Sequence, residues 1–131
     1  MSQWEELGMD AKIAEILDVE SHAPGHRFGR PFLTPYQIAI SFKRRFPGEF
    51  ETIGKPVGGK GTEQHHSLSQ YIARELSRRI EARKITNIRG RFLHRANNIK
   101  LTYEGDGETV ESSSGQSYDL SMYRLKDEAC S

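Results

Sequence analysis

Residues 67–81, SLSQYIARELSRRIE, carry the strongest helical signal in the chain and organise the elements around them. Ser67, followed three positions later by Gln70, is the capping-box pattern that starts a helix. Behind this start, apolar residues recur every three or four positions, which predicts one buried helix face. The apolar positions are Leu68, Tyr71, Ile72, Leu76 and Ile80.

The other side of this predicted helix is basic. Glu75 and Glu81 offset its charge only in part. A basic helix face of this kind is typical of proteins that contact phosphates. The basic residues assigned to this face and to the turn after it are Arg74, Arg78, Arg79, Arg83 and Lys84.

Two further helices are predicted upstream. Thr34, Pro35 and Gln37 form a nearly complete helix start, and the helix should run to about Phe46 and end at Pro47 and Gly48. An acidic helix is predicted over residues 10–19, with Asp10 as its cap. Residues 50–53 fit either a turn of helix or a short strand.

The loop before the central helix, GKPVGGKGT at residues 54–62, is similar to a phosphate-binding loop. The Walker A pattern requires Ser or Thr directly after its lysine, where this chain has Gly61. A nucleotide loop is therefore not predicted. A weaker role remains, in which Lys55, Lys60 and the helix start at Ser67 approach a phosphate of a polymer. The alternative is an ordinary loop with two solvated lysines.

Beyond residue 85, apolar residues no longer recur every three or four positions. They alternate with polar residues instead, as in a β-strand. Leu101 and Tyr103 alternate with polar residues, Gly-Asp-Gly at 105–107 indicates a turn, and Leu120 and Met122 alternate again. We therefore expect an α+β fold in which three helices precede a small antiparallel β-meander. By element order alone this arrangement is similar to a winged helix-turn-helix.

Charge is segregated along the 131 residues, although the net charge is only +1. Residues 1–20 hold six acidic and one basic residue, and residues 104–131 hold seven acidic and two basic ones. The stretch 21–103 holds 16 basic and five acidic residues. A basic block can bind a polyanion through counterion release. The alternative is that the acidic ends fold over the basic middle and cancel its charge.

Residues typical of catalysis or metal binding do not form a recognisable set. His22 and His26 are separated by Pro24 and Gly25, which oppose a helix, so no metal site is predicted. The single cysteine, Cys130, stands next to last. We find no nucleophile with a base partner and expect no cofactor and no enzymatic activity.

Phe92 stands within a run of basic residues, RGRFLHR at 89–95. An aromatic side chain among cations is compatible with base stacking in single-stranded nucleic acid. Because Phe92 is large and apolar, we expect it to be buried in the core.

We expect a single domain over residues 1–131. Its parts are an acidic helix at 10–19, a basic helical and loop region at 34–84, antiparallel strands at 85–125 and a frayed tail at 126–131. The chain shows no signal peptide and no run approaching the roughly 18 apolar residues of a membrane span, so a cytoplasmic protein with no membrane partner is expected.

The leading functional hypothesis is a non-enzymatic DNA- or RNA-binding protein. The first alternative is a protein-interaction or structural adaptor, homodimeric or bound to an acidic protein, and the second is a small phosphoester enzyme. The predicted phosphate contacts are Lys55, Lys60, Arg74, Arg78, Arg79, Arg83, Lys84, Arg89, Arg91 and Arg95.

Overall fold

The helices come first along the chain and the strands follow them. A computed structural model describes residues 2–19, 30–58, 67–94, 101–105, 108–111 and 120–126. Within these ranges the protein has an α+β fold with five helices, not three, and four strands. The elements are α1 (Gln3–Glu6), α2 (Met9–Leu17), α3 (Pro35–Arg45), α4 (Pro47–Ile53), α5 (Leu68–Glu81), β1 (Ile88–Leu93), β2 (Thr102–Gly105), β3 (Glu108–Glu111) and β4 (Leu120–Leu125).

The two long helices start where their caps predict. Thr34 and Gln37 exchange both hydrogen bonds of a capping box at the start of α3. At the start of α5, the Ser67 hydroxyl accepts a hydrogen bond from the Gln70 backbone N–H at 3.2 Å. These bonds satisfy amides that a helix leaves unpaired in its first turn, so both helix starts follow from local sequence.

The N-terminal segment differs from the prediction at its cap. A short helix, α1, precedes α2, and Gly8 in the left-handed region (φ +63°) occupies the N-cap position between them. Asp10 does not cap α2; its carboxylate accepts a hydrogen bond from the Trp4 indole N–H. Trp4 is buried, and its indole N–H needs a partner there, so Asp10 serves the packing of α1.

Residues 50–53 belong to a helix and not to a strand. Pro47, which ends α3 as predicted, also opens α4, where its fixed φ suits the first helical turn. Gly54 then closes α4 in the left-handed conformation, with φ +71°. The glycine-rich loop therefore follows a helix, whereas a phosphate-binding loop follows a buried strand.

The strands pair antiparallel, but they do not form the predicted meander. β1 pairs with β4, from Ile88 opposite Leu125 to Leu93 opposite Leu120, and the β2–β3 pair is a separate two-stranded sheet inserted between them in the chain. The winged-helix order is not confirmed.

The β2–β3 pair packs on α3, which explains its separation from β1. The Tyr103 ring stacks on Tyr36 with 5.4 Å between ring centroids, and Gly105 lies so close to Ile40 that an added Cβ would come within 2.8 Å of it. The requirement for glycine at position 105 follows from this close approach.

The core lies between α2, α3, α5 and the β1–β4 pair. Phe42, Leu76, Ile88 and Tyr123 are almost fully buried. The Tyr123 hydroxyl lies 2.6 Å from the Ser77 hydroxyl and donates to the Ala73 carbonyl, which ties β4 to α5. Among the described helices, none has the length and apolar character needed to cross a bilayer.

Candidate nucleic-acid interface

A surface groove runs between α5 and the β1–β4 pair. It consists of two adjoining depressions of about 260 and 210 Å³ that share Ser77, Phe92 and Ser121. We call it the α5–β1 groove. Its first depression is lined by Pro35, Tyr36, Ser69, Gln70, Ala73, Arg74, Ser77, Phe92, Leu120 and Ser121.

Phe92 stands in the wall of this groove with 70% of its surface exposed, and the prediction that it is buried is wrong. By strand alternation, Ile88, Gly90 and Phe92 share one face of β1. The protein core covers this face at the N-terminal end of β1, where Ile88 is buried and Gly90 lies against the Tyr123 ring. Phe92 lies beyond that cover, at the far end of the strand.

One exposed arginine of α5 borders the groove, and a second lies further along the helix. Arg74 lines the groove, and Arg78 follows one turn later on the same side of α5. Arg78 lies 2.7 Å from a Glu75 oxygen, but its side chain is 65% exposed. The Lys55 ammonium lies 5.9 Å from the centre of the Tyr71 ring. Because Tyr71 precedes Arg74 by about one helical turn, Lys55 lies on the same side of α5.

Of the two arginines of β1, only Arg91 lines the groove. Arg91 is exposed and lines the second depression. Arg89 points to the sheet face opposite Phe92 and stands directly across from Arg124 in the register. The Arg124 guanidinium has partners of its own, since it lies 4.9 Å from the centre of the Phe32 ring and donates a hydrogen bond to the Arg30 carbonyl. Arg83 and Lys84 are exposed in the turn that links α5 to β1.

Arg79 does not belong to the exposed basic surface. It is only 5% exposed; its Nε lies 3.2 Å from a Glu75 oxygen and its Nη1 3.6 Å from a Glu5 oxygen. The guanidinium also lies over the Trp4 ring, 5.5 Å from its centre. Arg79 therefore joins α5 to α1, because a buried cation needs charged partners.

The start of α5 is closed to anions. The Leu68 and Ser69 amides donate to the Pro56 and Val57 carbonyls at 2.7 and 3.0 Å, and the Ser67 hydroxyl accepts from the next amide. These are the groups that a phosphate would need at a helix start. The expectation that this helix start binds a phosphate is therefore wrong. Lys60 and Arg95 lie outside the described residues.

The acidic N-terminal helices cover only a small part of the basic middle. Glu5 pairs with Arg79, and Asp18 lies 3.1 Å from Arg30. By contrast, several predicted contact residues make no ion pair with any residue in the described ranges. These are Arg74, Arg83, Lys84, Arg89 and Arg91.

Two ionisable groups of α5, Glu75 and Tyr71, have shifted pKa values with structural causes. Burial opposes the charge of Glu75, but hydrogen bonds from Arg78 and Arg79 outweigh it and lower the pKa of this carboxyl. Burial raises the pKa of Tyr71. Across the described ranges, no three His, Cys, Asp or Glu side chains come together as metal ligands would.

Comparison with known proteins identifies no relative of this chain. The chain matches no family model, no curated protein and no solved structure. The α5–β1 groove itself was not predictable from sequence, because its walls come from segments that are far apart in the chain. The nearest signal was Phe92 inside a basic run.

Proposed function

We propose that this protein binds nucleic acid without catalysing a reaction and that it contacts phosphates through α5 and β1. One observation carries the proposal. Arg74 and Arg91 border the same groove, and neither makes an ion pair within the described part of the chain. An arrangement of unpaired cations along a groove suits a chain of phosphates.

The charge of the surrounding sequence supports the same proposal. Residues 21–103 carry an excess of 11 positive charges, and the acidic N-terminal helices neutralise Arg79 and Arg30, which lie outside the groove. Neutralising phosphates releases condensed counterions, which supplies affinity without reading bases. Binding should therefore depend strongly on salt.

Fluorescence anisotropy with labelled oligonucleotides across a salt series tests the proposal. We expect affinity to fall steeply between about 50 and 200 mM salt. Arg74→Ala should weaken binding and reduce the slope of log K against log salt by about 0.7 for a single strand or 0.9 for a duplex. Arg44→Ala is the matched control, since Arg44 is exposed on α3 beside the β2–β3 pair, away from the groove. Absent or salt-insensitive binding would reject the proposal.

A second candidate function is a protein-interaction adaptor. In the described ranges, β1 pairs with β4 alone, so its other edge can accept a strand from a partner or from a second copy of the chain. Exposed Arg91 on that strand disfavours such pairing, because edge charges oppose sheet extension. We therefore rank the adaptor second. A cytoplasmic location stays a prediction.

A further inference from the structure

We infer that the α5–β1 groove takes single-stranded nucleic acid, with one unpaired base stacked on Phe92. This inference rests on the proposed function and specifies its ligand. Its basis is the position of an exposed aromatic ring in a groove that is lined by Arg74 in one depression and by Arg91, together with Glu81, in the other. The ring supplies a stacking surface for a base, and Arg74 and Arg91 supply charge for the flanking phosphates.

The exposure of Phe92 needs an explanation, because it is the only large apolar side chain among the described residues that is strongly exposed. Leaving a phenyl ring in water forgoes burial that would stabilise the fold. The ring stands beside Ser77 and Ser121 in a concave surface and does not project from a convex one. A planar ligand entering this groove would cover it.

The chemistry and size of the groove fit a nucleobase. Its larger depression, about 260 Å³, is smaller than the roughly 300–1,000 Å³ of pockets that enclose whole small molecules. Pro35, Tyr36 and Leu120 supply apolar surface to it. The Gln70 side-chain amide, which makes no hydrogen bond to other described residues, can donate to and accept from a base edge.

A duplex fits this surface less well than a single strand. Bases in a duplex are already stacked on both faces, so none can reach Phe92 without being unstacked. A helix that reads a duplex places its N-terminal residues against base edges in the major groove. In α5 those residues are covered: Leu68 and Ser69 are buried beneath the segment 56–58. The exposed part of α5 is its middle and end.

The test compares a single-stranded oligo(dT) of about 16 nucleotides with its duplex on oligo(dA), both measured by anisotropy at the same salt. We expect tighter binding to the single strand. Phe92→Ala should weaken single-strand binding by about fivefold to 100-fold and leave duplex binding and the salt slope unchanged. Because Phe92 is exposed, this variant should fold as the parent does, which circular dichroism can verify.

Phe92→Trp is the matched control, since it keeps an aromatic face. It should retain single-strand affinity, and its emission should be quenched on binding, whereas the only native tryptophan, Trp4, is buried. Equal binding of both oligonucleotides, with no effect of Phe92→Ala, would overturn the stacking inference and leave the proposed function standing. If neither oligonucleotide binds in a salt-dependent way, both fail.

Discussion

At the scale of single residues, Arg79 of α5 contacts both charged and aromatic partners within the described part of the chain. Its guanidinium lies between two carboxylates, Glu75 and Glu5, and it faces the Trp4 ring. Glu75 is itself mostly buried, with 11% of its side chain exposed. Loss of Arg79 would leave the buried Glu75 carboxylate with only the exposed Arg78 as a charged partner, which is costly.

Arg79→Met should therefore lower the free energy of unfolding by about 3 kcal/mol. Urea denaturation would measure it. The double variant Arg79→Met with Glu75→Leu should recover most of that loss, because it removes both buried charges. Arg78→Ala is the matched control: this arginine contacts the same carboxylate from an exposed position and should change stability by less than about 1 kcal/mol. A double variant as unstable as the single one would contradict this account.

The lowered pKa of Glu75 also predicts a pH dependence. A carboxyl whose pKa is lower in the folded state than its ordinary value of 4.5 stabilises the fold above that pH. The contribution is lost as pH falls from 4.5 through the folded-state pKa. The stability difference between the parent protein and Glu75→Gln should therefore be largest near neutral pH and shrink in acid. Denaturation curves from pH 7 to acid would show a constant difference if Glu75 were not the group responsible.

At the scale of elements, the start of α5 depends on the segment that precedes it. Gly58 has φ +120°, which side chains rarely adopt, and it packs directly against Ser67 and Ser69. This contact brings the Pro56 and Val57 carbonyls to the first amides of α5. The glycine at 58 thus has a packing role that needs no phosphate.

Gly58→Ala should destabilise the protein by about 2 kcal/mol or more, because the new methyl group would collide with the Ser69 hydroxyl in a strained backbone. Thermal denaturation would measure it. Gly48→Ala is the control, since no atom lies within 4 Å of the added Cβ and α4 should gain up to about 1 kcal/mol. Equal effects of the two substitutions would argue against the close packing at Gly58.

The elements also differ in how far sequence could predict them. The caps at Thr34 and Ser67 predicted α3 and α5 closely, because capping depends on residues three positions apart. The pairing of β1 with β4 was not predicted. It joins Ile88 to Leu125 across the inserted β2–β3 pair, and strand alternation carries no information about which strands pair.

At the scale of the whole molecule, the placement of the acidic segments decides what the basic middle can do. Glu5 and Asp18 pair within the chain with Arg79 and Arg30, which do not line the α5–β1 groove. The N-terminal carboxylates are therefore partly paired within the chain, and within the described ranges no carboxylate forms an ion pair with Arg74 or Arg91. This distribution favours an external polyanion over pairing between two copies of the chain.

Without nucleic acid, light scattering should accordingly give the mass of one chain at both about 50 and 200 mM salt. Adding a single-stranded oligonucleotide should raise the mass by that of the bound strand. A dimer that dissociates as salt rises, and that shows no affinity for nucleic acid, would instead support the adaptor.

The sequence alone determined the helix starts, the apolar stripe of α5 and the segregation of charge, because these depend on residues close together in the chain. Seven of the ten predicted phosphate contacts remain on the described surface. Tertiary structure decided the rest. In the folded chain Arg79 is buried, the first amides of α5 are bonded to the preceding segment, and Phe92 is exposed within a groove. Each of these outcomes depends on packing between segments distant in sequence, which local periodicity does not encode.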